Sequence, residues 1–155
     1  MTSLNPAVIF LLAGLFIPFA STGARRYIAL AAPVVGLALL MLAGFGDHGQ
    51  VTLFNLELTT YRLDKLAFVW ALIFHIAAFI GALYAFHLKD ATQQTAGLFY
   101  QGAAIGAVLA GDLLTLFIWW ENTAIASVFL IWARKTDRAY TVSYTHLTLP
   151  TICSV

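Results

Sequence analysis

Long apolar segments separated by short polar connections dominate the chain, and their lengths are typical of helices that cross a membrane. A helix needs roughly 17–25 mostly apolar residues to span the hydrocarbon core of a bilayer. The first segment is short for a span and carries Pro18 near its end, where a proline kinks or ends a helix. The pattern predicts an all-α polytopic membrane protein with about five transmembrane helices. They run over Asn5–Ala20, Tyr27–Phe45, Leu66–His87, Thr95–Ala110 and Leu113–Trp132.

The longest polar connection, Gly46–Asp64, separates the second and third predicted helices. Within it, residues from Val51 to Tyr61 alternate between two sets of side chains, as successive positions of a strand do. The segment is either a short β-hairpin over the helix ends or an irregular loop at the membrane surface. The pattern alone favours neither of these alternatives.

Composition agrees with a membrane protein and excludes several other classes. Of the 155 residues, 61% are hydrophobic and only 10% are charged, whereas a soluble domain carries about 25% charged residues. The formal net charge of +1 excludes a nucleic-acid-binding surface by bulk electrostatics. The single cysteine, Cys153, excludes a disulfide framework, and no cluster of ligating residues predicts a metal or another cofactor.

The basic residues divide unequally between the two ends of the predicted helices, and this asymmetry predicts the orientation. Arg62 and Lys65 lie on one side. The opposite side carries Arg25, Arg26, Lys89, Arg134, Lys135 and Arg138. Because cytoplasmic loops carry the excess of Lys and Arg, the N-terminus is predicted outside, and the third and fifth helices both run inward.

Glu121 lies eight residues into the fifth predicted helix and is the strongest functional candidate. At a rise of 1.5 Å per residue it is roughly 12 Å deep, near the centre of a hydrocarbon core about 30 Å thick. A carboxylate there costs about 2.5–3.5 kcal/mol on insertion scales, so an intramembrane carboxylate is a functional-site hypothesis by default. The alternative is a glutamate satisfied by a backbone group or by a Ser or Thr hydroxyl.

His75 and Asp112 are the secondary candidates for proton translocation. His75 lies in the third helix at a depth similar to that of Glu121, and an imidazole with a pKa near 6.5 suits a proton relay. A histidine satisfied by packing explains His75 equally well. Asp112 precedes the fifth helix, where a carboxylate caps the first turn and is favoured by the helix dipole. The capping role is the stronger of the two interpretations of Asp112.

Small and hydroxyl-bearing residues mark the predicted helix-packing positions. Gly102, Gly106 and Ala110 form a stripe on the fourth helix that lets helix backbones approach closely in lipid. Thr123 and Ser127 lie one turn apart on the fifth helix, where their hydroxyls are expected to bond across to a neighbouring helix. Such a pattern indicates packing and carries no chemistry of its own.

The tail from Val142 to Val155 differs from the rest of the chain. The hydrophobic period stops, and Val142–Thr151 looks like the translation of a transposase-type sequencing adapter. This segment is interpreted as read-through from a gene fragment into adapter, so that the natural part is 1–141. The alternative is a genuine, polar and disordered tail.

Two segments of the chain resemble one family of membrane proteins. The runs Gly111–Phe117 and Ala124–Ala133, together with the pair Trp120–Glu121, are similar to the fourth-to-fifth-helix region of antiporter-like membrane subunits. Arg62–Phe68 is similar to the start of their third helix. This superfamily includes the Mrp-type multisubunit sodium/proton antiporters and the proton-pumping subunits of respiratory complex I and of membrane-bound hydrogenases. The run Ile125–Arg134 leans towards the D subunit of the Mrp-type antiporters.

The resemblance covers most of residues 1–140 and implies a larger protein. It implies about fourteen helices in two inverted repeats, each with a broken helix and a half-channel. Glu121 then corresponds to the carboxylate that pairs with a lysine on the seventh helix, beyond which protons pass along a row of lysines and histidines. Because the sequence holds only one member of this ion pair, the chain is not expected to transport ions alone.

The resemblance also implies a cellular role. The chain is expected to be part of a monovalent cation (sodium)/proton antiporter subunit in a bacterial inner membrane, bound to other subunits of the complex. No covalent chemistry is implied, so it is not an enzyme. One alternative is a proton-pumping subunit of complex I or of a hydrogenase, where it would be a translocase component. An alternative of another class is a five-helix membrane scaffold that moves no ions.

Overall fold

The computed structural model describes residues 4–53, 56–88 and 90–133, and within these ranges the chain forms five α-helices and one β-hairpin. Two short 3-10 turns, Ile17–Phe19 and Ala85–His87, extend the first and third helices. The elements are α1 (Pro6–Phe16), α2 (Thr22–Leu42), β1 (Gly46–Leu53), β2 (Leu56–Leu63), α3 (Lys65–Tyr84), α4 (Ala91–Val108) and α5 (Leu113–Trp132). The predicted tail, 142–155, lies outside the described residues.

Each of the five helices begins after a residue whose side chain accepts a hydrogen bond from a backbone N–H of the first turn. These N-cap residues are Asn5, Ser21, Asp64, Asp90 and Asp112. Short polar side chains are favoured there because the first four N–H groups of a helix have no partner within it. The caps therefore fix the helix starts more sharply than the hydrophobic pattern does.

The predictions for α2 and α4 were wrong at their starts. The structure begins α2 at Thr22 rather than Tyr27 and α4 at Ala91 rather than Thr95. Both first turns are polar, so hydropathy alone assigns them to loops. In α2 the Arg25 guanidinium also donates from Nε to the carbonyl oxygens of Ile17 and Ala20, at 3.1 and 2.8 Å, which ties the new helix to the end of the preceding one.

The segment between α2 and α3 is a β-hairpin, so the first of the two predicted alternatives is confirmed. Strands β1 and β2 pair antiparallel, with Gly46 opposite Leu63 and Val51 opposite Leu58. The pairing is irregular on either side of Gly49. Because the side chains of Arg62 and Asp47 are about half and a third exposed, their 2.8 Å ion pair is a surface feature.

The hairpin covers one end of the helical bundle, which we call the hairpin end. Strand β2 bonds to the turn between α4 and α5: Arg62 donates its N–H to the Leu109 carbonyl at 2.8 Å, and Gly111 donates to the Thr59 carbonyl at 2.9 Å. The Asn5 side chain adds a 3.4 Å bond to the Thr60 carbonyl. Helices α1, α3 and α5 therefore start at the hairpin end, and α2 and α4 start at the opposite end, which we call the basic end.

Helix α4 lies at the centre of the bundle, packing most extensively against α5 and α1, while α2 packs against α3 and α1. The core side chains come from several elements and include Phe10, Ile17, Leu40, Tyr61 and Ile105, all at most 1% exposed. The outer faces of the helices carry many exposed large apolar side chains. This surface fits lipid or further protein better than water.

Three helices in the described part of the chain are long and apolar enough to cross a membrane by length and composition: Thr22–Leu42, Lys65–His87 and Leu113–Trp132. The apolar stretch Pro6–Phe19 is shorter. Helix α4 carries glutamines at positions 93, 94 and 101, which lower its hydropathy. The five predicted helices are thus present, and their apolar character fits a membrane protein. The number of helices that cross the membrane stays a prediction.

Candidate functional site

Glu121 lies near the middle of α5, on the surface of the bundle. Its neighbours along that face are large apolar side chains that are themselves exposed: Phe117 by 57%, Ile118 by 55% and Ile125 by 55%. The structure gives Glu121 no hydrogen bond or ion pair with any described residue. The carboxylate is thus surrounded by apolar surface without a partner within the described ranges, and any burial of it comes from lipid or from other protein.

His75 occupies a different part of the bundle and is only 1% exposed. Its Nδ1 lies 2.7 Å from the carbonyl oxygen of Ala71, and because a carbonyl only accepts, Nδ1 carries the proton. The ring meets Phe10 edge-on at 5.6 Å between centroids. Nε2 has no hydrogen-bond partner among the described residues and faces Gly36 of α2, whose substitution by a larger residue would place a Cβ only 2.8 Å away.

His75 and Glu121 are therefore not brought together by this part of the chain. The imidazole is enclosed by α1 and α2, as its contacts with Phe10 and Gly36 show. Glu121 lies on the exposed face of α5, and α4 packs between α5 and the other helices. A proton path that joins the two residues would need groups from outside the described residues.

Asp112 is fully engaged as the cap of α5. One carboxylate oxygen accepts from the backbone N–H of Thr115 at 2.7 Å, and the other accepts from the Thr115 hydroxyl at 2.7 Å and from the backbone N–H of Thr59 at 2.8 Å. Desolvation by the surrounding chain acts to raise the pKa of this carboxyl. The hydrogen bonds from Thr115, Thr59 and Leu114 outweigh desolvation and hold the pKa of Asp112 below its ordinary value of 3.8.

The two glycines of the predicted stripe lie at two different helix contacts. A Cβ added to Gly102 would lie 2.7 Å from the Cβ of Phe10 on α1. A Cβ added to Gly106 would lie 2.3 Å from the Trp119 ring on α5. Any side chain at either position would therefore force α4 away from a neighbour. Ala110, the third member of the predicted stripe, lies beyond the end of α4 in the turn to α5.

Among the described residues, the hydroxyls of Thr123 and Ser127 do not bond across to another helix, so such a bond stays a prediction. Thr123 donates to the Trp119 carbonyl at 3.0 Å, and Ser127 donates to the Ala124 carbonyl at 2.6 Å. Both acceptors belong to α5 itself, because a short hydroxyl side chain within a helix reaches the carbonyl of the preceding turn. Both residues line a groove of about 510 Å³ between α4 and α5.

Sequence reasoning missed a group of polar side chains at the basic end. Arg26 of α2 and the α4 residues Gln94 and Gln101 line one cavity. The signal was present in the sequence as polar residues beside the apolar segments. It was overlooked because the starts of α2 and α4 were placed too late, which left Arg26 and Gln94 in predicted loops.

No group of three or more His, Cys, Asp or Glu side chains within residues 4–53, 56–88 and 90–133 is placed to hold a metal ion. The three candidate residues have different surroundings: Asp112 caps a helix, His75 is buried between helices, and Glu121 faces outward from α5. The described part of the chain therefore holds single ionisable groups rather than an assembled site.

Comparison with known proteins gives one informative similarity. Over 90% of its length the chain aligns with the A subunit of the Na(+)/H(+) antiporter of Alkalihalophilus pseudofirmus (strain ATCC BAA-2126 / JCM 17055 / OF4), at 30% identity over 162 aligned positions. The alignment covers 20% of that relative, so the chain spans about a fifth of its length. No family model and no solved structure matches the chain. The similarity supports an antiporter-like family; the sequence resemblance leaned towards the D subunit, and this match is to an A subunit.

Proposed function

We propose that the chain is part of a membrane subunit of a monovalent cation (sodium)/proton antiporter, in which Glu121 is the carboxylate that takes up and releases protons. The observation that carries this proposal is the placement of Glu121 halfway along an exposed, apolar helix face with no partner among the described residues. An ionisable group at such a place is costly, at about 2.5–3.5 kcal/mol on insertion scales, and such groups mark ion and proton pathways.

The surroundings of Glu121 define what its partner must supply. The exposed neighbours Phe117, Ile118 and Ile125 offer neither charge nor hydrogen bonds. A carboxylate in such surroundings is stabilised in its charged form by a cation or by hydrogen-bond donors brought against this face. The family resemblance implies a lysine on a later helix in this role.

The similarity to the A subunit from Alkalihalophilus pseudofirmus supports the same function, because the name of that relative describes a Na(+)/H(+) antiporter. We propose that the chain likewise assembles with other subunits of a multisubunit complex, in a bacterial inner membrane with the N-terminus outside. Transport of this kind forms no covalent intermediate, so the chain would be a transporter component rather than an enzyme. Whether it corresponds to the A or the D subunit is decided by which of the two it replaces in a complex.

His75 and Asp112 contribute differently to this proposal. His75 has an Nε2 without a hydrogen-bond partner among the described residues, so this nitrogen can accept a hydrogen bond from a group outside them. Asp112 uses both carboxylate oxygens as acceptors from Thr59 and Thr115. A proton bound to Asp112 would interrupt these bonds, and we therefore assign it a structural role rather than proton uptake.

The decisive experiment is the variant Glu121→Gln, made in the complete gene and expressed with its partner subunits. Sodium-dependent collapse of a pH gradient in everted membrane vesicles reports transport, and native gel electrophoresis reports assembly. We expect loss of transport with normal assembly, because glutamine keeps the shape of the side chain and cannot ionise. Glu57→Gln is the matched control, since Glu57 is an exposed carboxylate on β2.

Unchanged transport by the Glu121→Gln complex would overturn the role of Glu121 and favour the scaffold alternative. If transport is lost and the unsubstituted complex also reduces quinone or has hydrogenase activity, the complex I or hydrogenase alternative would instead be favoured. Equal losses in the Glu57→Gln control would show that the effect is not specific to the membrane-embedded carboxylate.

We also propose that residues 142–155 are adapter read-through and that the natural chain continues beyond Tyr140. Continuous sequencing of the genomic locus past that codon tests this proposal directly. We expect further apolar helices, with a lysine inside the second helix after Glu121. A natural stop codon after Val155 would contradict the proposal and leave Glu121 without a partner from its own chain.

A further inference from the structure

A partly enclosed cavity of about 140 Å³ lies between α2, α3 and α4, at the basic end of the bundle. We call it the polar chamber. Its walls include polar side chains among small and apolar ones: Arg26, Gly81, Phe86, Gln94, Gly97 and Gln101. The chamber is separate from Glu121, which lies on the outer face of α5 and does not line it.

Three residues that line the chamber each carry a buried polar atom with no hydrogen-bond partner among the described residues: Arg26 Nε, Gln94 Oε1 and Gln101 Oε1. Gln94 is only 7% exposed. Its amide orientation is fixed, because Nε2 donates to the Leu88 carbonyl at 2.8 Å and a carbonyl only accepts. The oxygen of Gln94 is therefore the unpartnered atom. Buried polar atoms in proteins are nearly always satisfied, so these three indicate a bound polar occupant.

The chemistry of the walls selects the kind of occupant. Arg26 supplies a donor and a positive charge, so a cation is disfavoured next to it. The Gln94 oxygen is an acceptor whose amide orientation is fixed, so an anion beside it would face a group that cannot donate to it. Water both donates and accepts, and it satisfies all three atoms after small rotations of their flexible side chains. At about 30 Å³ per molecule, the chamber has room for roughly four or five waters.

We propose that the polar chamber holds a water cluster that links Arg26 to Gln94 and Gln101, and that it gives water and protons access from the basic end to the interior of the bundle. Gln101 is the eleventh residue of α4, so the chamber reaches about 15 Å along a helix about 27 Å long. The Arg26 guanidinium is held over the Phe86 ring at 5.7 Å, which keeps its charge at the mouth of the chamber.

The chamber ends before it reaches His75. A Cβ on Gly81 would lie 3.5 Å from Gln101 Nε2, which places these two residues at the same level. His75 precedes Gly81 by six residues, or about 9 Å along α3. Buried Ala78 lies between the two levels on the same helix. We therefore infer that water reaches Gln101 but stops short of the unpartnered Nε2 of His75 in this conformation.

Cysteine accessibility tests the water cluster, with Gly97→Cys as the principal variant. A Cβ at Gly97 meets nothing within 4 Å, so the substitution adds a thiol to the chamber wall without a clash. The matched control is Ile80→Cys, because Ile80 lies at a similar depth on α3 and is 59% exposed on the outer face. Both variants are made in the complete subunit with its partners, in a background where every other cysteine is replaced by serine.

Charged, membrane-impermeant methanethiosulfonate reagents are applied to sealed vesicles of each orientation. The cysteine thiolate attacks the sulfur of these reagents, forms a mixed disulfide and displaces methanesulfinate, and the thiolate forms where water is present. We expect Gly97→Cys to react at least about tenfold faster than Ile80→Cys, and only when the basic end faces the reagent. Gln101→Cys is the second variant and is expected to react from the same side more slowly than Gly97→Cys, because it lies deeper.

The charge of Arg26 gives an independent arm of the experiment. A negatively charged sulfonate reagent should react with Gly97→Cys several-fold faster than a positively charged ammonium reagent, each normalised to its rate with a free thiol in solution. The double variant Gly97→Cys with Arg26→Gln should still react but should lose the preference for the negatively charged reagent.

Labelling of Gly97→Cys and Gln101→Cys no faster than Ile80→Cys would show a dry, packed chamber and overturn the proposal. Equal reaction from both vesicle orientations would contradict one-sided access. A rapid reaction whose charge preference does not change on Arg26→Gln would support the water cluster and contradict the contact of Arg26 with it. Because these readouts do not depend on transport, they stand or fall separately from the role of Glu121.

Discussion

Two carboxylates on the same helix have opposite surroundings. Asp112, at the start of α5, accepts hydrogen bonds from Thr115 and Thr59 and lies against the hairpin. Glu121, further along the helix, lies among exposed apolar side chains and has no partner among the described residues. The carboxylate with many partners explains how α5 is attached to the fold. The one without a partner is the group whose charge no described residue stabilises.

The difference follows from position along the helix. The first turn of any helix offers free N–H groups and the positive end of the helix dipole, so a carboxylate there is stabilised by the backbone itself. In the middle of a helix every backbone group is already bonded, and only side chains, lipid or another segment can meet a carboxylate. Glu121 therefore carries a cost of insertion into a membrane that no described residue offsets, whereas the start of the helix itself stabilises Asp112.

The largest expected effect is on membrane insertion of α5. Replacing Glu121 by leucine should make insertion of the segment Leu113–Trp132 more favourable by about 3 kcal/mol, because the ionisable group near the centre is removed. Asp112→Leu should change insertion far less, since its side chain lies at the end of the span. Translocon insertion of the isolated segment in a glycosylation reporter measures both. Equal gains for the two variants would contradict the central depth of Glu121.

Substitutions where α4 packs against the covered face of α5 should lower stability, whereas the outer face of α5 should tolerate substitution. Gly106→Ala would bring a Cβ to 2.3 Å from the Trp119 ring, and we expect a loss of about 1–3 kcal/mol in stability, as overpacking usually causes. Gly97→Ala on the same helix is the control. Its Cβ meets nothing within 4 Å, and alanine favours the helix by roughly 0.5–1 kcal/mol over glycine.

Thermal unfolding of the two glycine variants in detergent measures this difference. The Gly106→Ala variant should unfold at a lower temperature than the unsubstituted protein, and Gly97→Ala at the same or a higher one. A stable Gly106→Ala variant would show that α4 and α5 are less closely packed than the structure has them.

The cap of α5 should have a smaller effect on stability. Asp112→Ala removes an N-cap, which typically costs about 0.5–2 kcal/mol, and it also leaves the Thr59 N–H without its acceptor. We therefore expect a loss towards the upper part of that range, measured by thermal unfolding. Asp64→Ala is the matched control, because Asp64 caps α3 with one bond to Ala67 and is exposed. A larger loss in Asp64→Ala than in Asp112→Ala would contradict the link to the hairpin.

The bounds of α5 were predicted from the sequence more accurately than those of any other helix. Its predicted bounds, Leu113 to Trp132, are those of the structure, because Gly111 and Asp112 interrupt the apolar pattern just before a capped start. The starts of α2 and α4 were missed for the converse reason. There the capping residues Ser21 and Asp90 are followed by polar first turns that hydropathy cannot separate from a loop.

The candidate site was predictable only in part. The capping role of Asp112 follows from its place before an apolar segment, and the structure has that cap. Its bond to Thr59 was not predictable, since the two residues are 53 positions apart and meet only because the hairpin folds back over the helix ends. The outward direction of Glu121 was not predictable either, because large apolar side chains lie on both the covered and the outer face of α5. The polar chamber needs three helices to be placed side by side.

The smallest expected effect is a dependence of the Asp112 contribution on pH. The folded chain holds the pKa of Asp112 below its ordinary value of 3.8. A carboxyl with a lowered pKa in the folded state contributes stability above its unfolded pKa and loses it as the pH falls through the folded pKa. The stability difference between the unsubstituted protein and Asp112→Asn should thus be full at neutral pH and shrink below about pH 4. Thermal unfolding of both proteins between pH 3 and pH 7 measures it, and a difference that grows on acidification would contradict the hydrogen-bonded, ionised state of Asp112.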